Sequence, residues 1–333
     1  MNSKKMALIF SPLLVAIIGA GVFLGVKFNK EKNNDESVND IVDQFDYSYS
    51  KLFLSDSDGV LVPLTIKYEK FDSLGEELLH VTNMLKADSK VSNDTFNGLL
   101  PSDCSVNNLK LEEGVLSLDF DENFKNYESK NELKLLESLV WTLTDFTEVD
   151  SLVLSIDGDK LTNIPVNNTP ITTLDKQIGI NNYLLTSTMI FSGERVLSYY
   201  EKLIDDTYYY VPVTHYVKNK DELSIYDLTI SSLFKNPGIT SSLKVCRCLK
   251  DTQMVNSSVV NNNILYVSLT EDILFDETTV SLDVYNVIKE TTALLEDVVD
   301  VSFIMELEEV LVNGKSEEEE TQVSKIELNK YYI

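Results

Sequence analysis

Few residues in this chain have the types and spacing that chemistry demands. The histidines are His80 and His215, and the cysteines are Cys104, Cys246 and Cys248. His80 falls on the outward side of an amphipathic pattern, and His215 lies within an alternating apolar run. Neither recurs at the repeat step described below, where His215 stands at the position of Ile66, so a shared histidine site is not expected. Cys246-x-Cys248 fits neither a thioredoxin-type C-x-x-C nor a zinc pattern. Residues two apart share one face of a strand, so thiols that fill a core are expected, not a disulfide framework. Asp56-x-Asp58-Gly59 begins like a calcium loop but lacks the later spaced ligands and the bidentate Glu; it reads as a turn. No HExxH, GxSxG, P-loop or dinucleotide fingerprint occurs. The 54 acidic residues make carboxylate pairs inevitable, yet a glycosidase pair also needs a cleft and a set separation. No catalytic residue, metal site or cofactor is therefore assigned, and the protein is not expected to be an enzyme.

The residues that remain are suited to contact. Trp141, Tyr199, Tyr200, Tyr208, Tyr209 and Tyr210 are candidate interface residues, because an apolar body with a polar tip suits partly wet surfaces. Tyrosines are also ordinary strand residues. The net charge of −26 and pI near 4.4 exclude wrapping nucleic acid, whose phosphates need a basic face.

Between Met6 and Val26 no charged residue occurs, and a helix of that length, at ~1.5 Å per residue, reaches across the ~30 Å of a bilayer core. Lys4 and Lys5 precede it; Lys27, Lys30 and Lys32 follow. An uncleaved anchor is expected at 6–26, with a cytoplasmic amino terminus and the body exported. Residues 33–46 are polar and read as a stalk.

The body repeats itself. Val62-Pro63-Leu64-Thr65 returns as Val211-Pro212-Val213-Thr214, a step of 149 (62 to 211), and Val115-Leu116-Ser117-Leu118 returns as Ile264-Leu265-Tyr266-Val267 at the same step. Leu133 falls on Leu282 and Val149 on Val298. One register held across several elements signals duplication. The periodicities predict the same order twice. In the first copy, a hairpin around Ser55–Gly59 is followed by a helix over 73–86. Strands at 105–111 and 115–121 follow, then a long helix over 129–146 with Leu133, Leu136, Val140 and Leu143 as its core stripe. A strand at 151–156 closes the copy. The second copy is expected to open with a strand at 184–191, then a tyrosine-rich insertion, then strand 208–217. A helix is expected at 224–234, strands at 254–260 and 263–269, a helix at 279–295 and a closing strand through Val301, Phe303 and Met305.

The expected fold is α+β, a tandem pair of small α/β-sandwich modules, each a mixed sheet packed on two helices, after a transmembrane helix. Tail and anchor occupy 1–32, the stalk 33–46, the modules 47–182 and 183–316, and an acidic, mobile tail 317–333.

Leu52-Phe53-Leu54-Ser55-Asp56-Ser57-Asp58-Gly59 before Leu61-Val62-Pro63 resembles the opening of a GerMN domain. So do Leu100-Pro101, Gly114–Phe120 and Leu139–Phe146. Two such domains after an anchor resemble the GerM family of sporulation and spore germination proteins, over roughly residues 47–315. Copy two departs from the pattern, with Lys250 at the position of Pro101. Relatives with a lipidated cysteine differ too, since no cysteine precedes Cys104. The resemblance implies a non-enzymatic, single-pass protein of the cytoplasmic membrane, its bulk between mother cell and forespore. Its implied partners are envelope or sporulation-complex proteins, or further copies of itself. The residues leave two alternatives open: binding of wall glycan or a small ligand through the tyrosines, and a carboxylate-dependent wall hydrolase.

Overall fold

The structure, a computed structural model, describes residues 47–171, 174–182, 193–219, 222–237, 242–276, 278–305, 308–312 and 329–331. The anchor at 6–26, the stalk, the strand expected at 184–191 and residues 317–328 of the tail lie outside them. Among the described residues no helix is long and apolar enough to cross a membrane.

Copy one opens with a hairpin, β1 (Tyr47–Asp56) and β2 (Leu61–Glu69), in register Leu54↔Val62. Asp56 Oδ1 accepts the amides of Asp58 and Val60, both at 2.9 Å, so the acidic loop is turn chemistry. Helix α1 (Leu74–Met84) starts at Ser73, whose hydroxyl caps the Glu76 amide at 3.3 Å. Strand β3 (Phe96–Asn97) pairs with the end of β1. Next come β4 (Val106–Glu112) and β5 (Val115–Phe120), joined through Glu113 and Gly114, both at positive φ. That is the two-residue turn favoured by hairpin twist. Helix α2 (Glu132–Leu143) crosses over to β6 (Ser151–Ile156), parallel to β5. The short pieces β7 (Asp159–Lys160), β8 (Asn163–Ile164) and β9 (Thr169–Pro170) finish the copy.

Copy two follows with the hairpin β10 (Glu194–Ile204) and β11 (Thr207–Val217), then helix α3 (Ile225–Ser232). Strands β12 (Met254–Asn261) and β13 (Ile264–Leu269) come next. After β14 (Thr279–Val280), helix α4 (Leu282–Thr291) leads to β15 (Asp300–Met305), which is parallel to β13. Strand β16 (Glu308–Val312) and, at the end, β17 (Lys330–Tyr331) complete the order. The duplication holds to the residue. Leu111↔Leu116 and Leu116↔Leu152 in copy one recur as Val260↔Leu265 and Leu265↔Val301 in copy two.

Four expectations need correction. Each copy has a hairpin sheet and a separate mixed sheet, not one sheet. In β1, Ser50 to Asp56 are buried at every position, whereas β5 alternates. A strand covered on both faces does not simply extend a half-exposed one. Secondly, copy two carries no tyrosine insertion. Tyr199 and Tyr200 lie on β10 opposite Pro212 and Val211, as Phe53 and Leu54 lie opposite Pro63 and Val62. The turn between them is Asp205-Asp206, three residues shorter than the Asp56–Val60 loop. Thirdly, Leu133 and Leu282 are not core residues, being 48% and 45% exposed. Leu133 follows the 3-10 turn Ser129–Asn131 in the first turn of α2 and faces out, while Leu136, Val140 and Leu143 are buried as expected and Leu135 and Leu139 complete the buried face. Fourthly, the end of the chain is not all mobile tail, because Lys330 and Tyr331 pair in parallel with Thr65 and Ile66 of β2.

Candidate functional site

The repeated Val-Pro motifs meet at the junction of the two copies. In the antiparallel pair Phe53↔Pro63, the Phe53 amide donates to Thr142 Oγ1 at 3.0 Å and its carbonyl accepts Ser138 Oγ at 2.6 Å. Those groups point away from β2, so the backbone groups of Leu61, Pro63 and Thr65 point away from β1. They face β11, whose Tyr210, Pro212 and Thr214 are the repeat equivalents. Proline supplies a carbonyl and no N–H, and β2 and β11 share no backbone ladder.

Two asparagines fill the seam. Asn181 accepts the Leu61 amide at 2.9 Å and donates to Leu61 O at 2.9 Å and Pro212 O at 2.8 Å. Asn329 accepts the Tyr210 amide at 2.8 Å and donates to Tyr210 O at 2.8 Å and Pro63 O at 2.6 Å. The Thr214 amide donates to Ile180 O at 2.9 Å, and the Thr65 amide to Asn329 O at 3.1 Å. Moving from Leu61 to Pro63 on β2 is matched by moving from Tyr210 to Pro212 on β11. The arrangement is a pseudo-twofold centred between Val62 and Val211. Each copy's trailing segment completes the other copy's hairpin.

Charged groups flank this seam. Lys51 of β1 reaches Glu290 of α4 at 2.6 Å and Asp145 at 3.4 Å, and Tyr199 donates to Glu290 at 3.1 Å. Burial alone would lower the Lys51 pKa, but the two carboxylates hold it above the usual lysine range. Lys202 of β10 pairs with Asp56 and, at 2.8 Å, with Asp58 of copy one. Thr95 donates to Asp205 at 2.7 Å. Beneath Asn181, Glu137 accepts the Asn181 amide at 2.9 Å and Lys134 donates to Asn181 Oδ1 at 3.0 Å. Burial pushes the Glu137 carboxyl up to about 7, with Lys134 and the amide opposing.

The residues expected to form an external interface sit largely inside. Trp141 is buried, donates to Gly179 O at 2.8 Å and packs edge-on against Phe53. Gly179 is at φ 81, and a Cβ there would lie 2.4 Å from the Asn182 amide, so the crossing between copies needs glycine. Tyr199 and Tyr200 are core residues. Tyr209 packs edge-on against Phe96 of copy one, and Tyr210 anchors Asn329. Only Tyr208, 42% exposed, presents itself to solvent, and the Arg247 guanidinium lies 3.4 Å from its ring centre. A row of stacking faces is not formed.

Sequence reasoning missed Asn181, Asn329, Glu137, Lys51 and Lys202. Asn181 and Asn329 stand one residue short of the repeat step, which hid them. Lys51 and Lys202 did carry a signal, a lone cation within an otherwise buried run.

The candidate chemistry is thin. His215 contacts Ser198 Oγ at 3.1 Å, but Ser198 is fully buried and shared with Ser232 at 2.5 Å. Burial, with Lys235 nearby, lowers the His215 pKa to about 4. His80 packs between Tyr68 and Phe71. Cys246 and Cys248 are joined by a disulfide across the 3-10 turn Arg247–Leu249, not held as thiols on a strand. The turn brings their Cα atoms to 5.2 Å, inside bridging range. Cys104 is a buried free thiol. Among the described residues no group of three or more His, Cys, Asp or Glu could hold a metal. Copy two has an open groove of about 660 Å³ lined by Val255, Asn256, Ser268, Leu269, Glu271 and Met305, among others.

Comparison with known proteins agrees with this architecture. Residues 51–162 match the Germane family, described as "Sporulation and spore germination". The chain is 31% identical to the spore germination protein GerM of Bacillus subtilis over 272 residues, 80% of this chain and 72% of that protein. The solved tandem GerMN domains of the B. subtilis sporulation protein GerM superpose with a TM-score of 0.68 at 29% identity. That match covers 81% of this chain and 93% of the other.

Proposed function

This chain belongs to the GerM family of sporulation and spore germination proteins, and from that footing we propose that it is a membrane-anchored envelope scaffold. In this reading residues 6–26 hold it in the cytoplasmic membrane, and the paired domains bind neighbouring sporulation proteins outside the cytoplasm. The observation that carries it is the reciprocal junction. Buried ion pairs and two asparagine clasps fuse the copies into one body, within the single compact unit Phe45–Ile333. A fused pair offers two related surfaces at a fixed separation, which suits an assembly protein more than a catalyst. Leu133 and Leu282, exposed at matching places on α2 and α4, are such related points. The Cys246–Cys248 disulfide supports an exported body, since disulfides persist in oxidising compartments.

Photo-crosslinking residues placed at 133 and 282 in sporulating cells test this. Capture of defined envelope proteins, or of a second copy, supports the scaffold. A body that stays monomeric and captures nothing contradicts it. The open groove in copy two favours one second reading, a ligand site. Binding of purified peptidoglycan that is lost on Val255→Glu would move the function there.

A further inference from the structure

Asn329 and β17 behave as a ligand in a site. Every bond of Asn329 described above goes to β2 or β11, and Tyr331 packs edge-on against Phe96 and accepts from Asn93. The slot is demanding. It wants an asparagine with left-handed backbone, φ 54 here, between a proline carbonyl and a residue offering both N–H and C=O. It also wants main chain running parallel to β2, and an aromatic two positions later. Asn329-Lys330-Tyr331 meets all of these. The arm is tied to copy two through the sixteen residues between Val312 and Asn329, a tether that spans at most roughly 55 Å. A site filled by a tethered segment takes the same segment from another molecule when the two meet.

We propose that the arm Asn329–Tyr331 exchanges between molecules, seating in the β2/β11 slot of a second copy and linking copies by strand exchange. The slot's match to the chain's own Asn-Lys-Tyr is what selects a second copy over a foreign peptide. Exchange extends to two chains what the fold already does between its halves, where each trailing segment completes the other hairpin. The net charge of −26 opposes close approach, so salt should promote it. This rests on the scaffold reading only for its cellular purpose.

The test uses purified full-length chains in detergent, so its failure leaves the crosslinking in cells standing. One population carries Asn93→Cys with one tag; the other carries Tyr331→Cys with a second tag. After mixing and treatment with a flexible bis-maleimide, which spans the tip-to-tip contact of the two side chains, a crosslink joining the two tags is expected, rising with protein concentration and with salt. It should fall about fivefold when the Tyr331→Cys chain also carries Asn329→Ala. The control is a single chain with both cysteines, which should close on itself. Closure within that chain without any tag-to-tag product overturns the proposal. Failure of the double variant to close overturns it too, because the arm would then not occupy the slot.

Discussion

Asn181 and Asn329 stand 148 residues apart (181 to 329) yet occupy one pseudo-symmetric seam, each spanning β2 and β11 with a side-chain amide. Both sit at left-handed φ, 52 and 54, a conformation asparagine tolerates better than most residues. Each one bonds both backbone groups of one strand residue and the proline carbonyl of the other copy. The seam therefore has the hydrogen bonds of a sheet without a continuous strand.

Removing either amide should cost stability, and unequally. Asn181 is fully buried, so Asn181→Ala strands the Leu61 amide and two carbonyls, at ~1–3 kcal/mol for each unsatisfied group. Asn329 is only half-buried, and water can replace part of its bonding, so Asn329→Ala should cost about 1 kcal/mol. Urea unfolding of both variants checks the order.

Glu137 and His215 should give opposed pH dependences. The Glu137 carboxyl is raised from 4.5 to about 7 in the fold. The unfolded chain therefore releases that proton first, and stability falls as pH rises from about 4.5 to 7, by roughly 3 kcal/mol at most. His215 is lowered from 6.5 to about 4, so its contribution is present above 6.5 and is lost as pH falls towards 4. The two slopes oppose each other over most of this range. Glu137→Gln keeps an acceptor for the Asn181 amide and removes one slope. Its stability should then rise steadily with pH between 4 and 6.5, where the parent protein is flatter.

The buried ion pair across the junction should be strongly coupled. Lys51→Met leaves Glu290 and Asp145 without their cation, at ~3–5 kcal/mol. Combining it with Glu290→Gln should recover part of that loss, giving a coupling of about 1–3 kcal/mol in a double-mutant cycle. Additive losses would mean the pair does not bind the copies together.

The tyrosines should separate by burial. Tyr200→Ala empties a fully buried site and should cost ~3–5 kcal/mol, while Tyr208→Ala should stay within about 0.5 kcal/mol. Thermal melts of the two variants would show it.

Much of the fold was legible because alternation and helical spacing report burial on one face. Leu116, Leu118 and Phe120 alternate with Ser117 and Asp119, and the buried Leu265 and Val267 repeat the pattern in copy two. The junction was not legible for the same reason. Tyr199 and Tyr200 read as surface insertions because the Asp205-Asp206 turn shifts β10 by three residues against the repeat, and burial on both faces erases alternation. Asn181 and Asn329 carry no periodic signal, since their role depends on strands more than a hundred residues away. Leu133 and Leu282 show the converse. A residue kept at the repeat step need not be core: Leu133 and Leu282 both stand in the first turn of their helix, after the 3-10 turn Ser129–Asn131 in α2 and after the capping Ser281 in α4, and both face outward there.

Coincident unfolding of the two halves is the most direct measurement. Trp141 is the only tryptophan and lies in copy one, so its fluorescence follows that half, while far-ultraviolet circular dichroism follows both. If the copies are one body, the two signals share a single urea transition, and Asn329→Ala at the far end of the sequence lowers the Trp141 midpoint as much as the dichroism midpoint. Two separate transitions, with the Trp141 midpoint unmoved by Asn329→Ala, would contradict it.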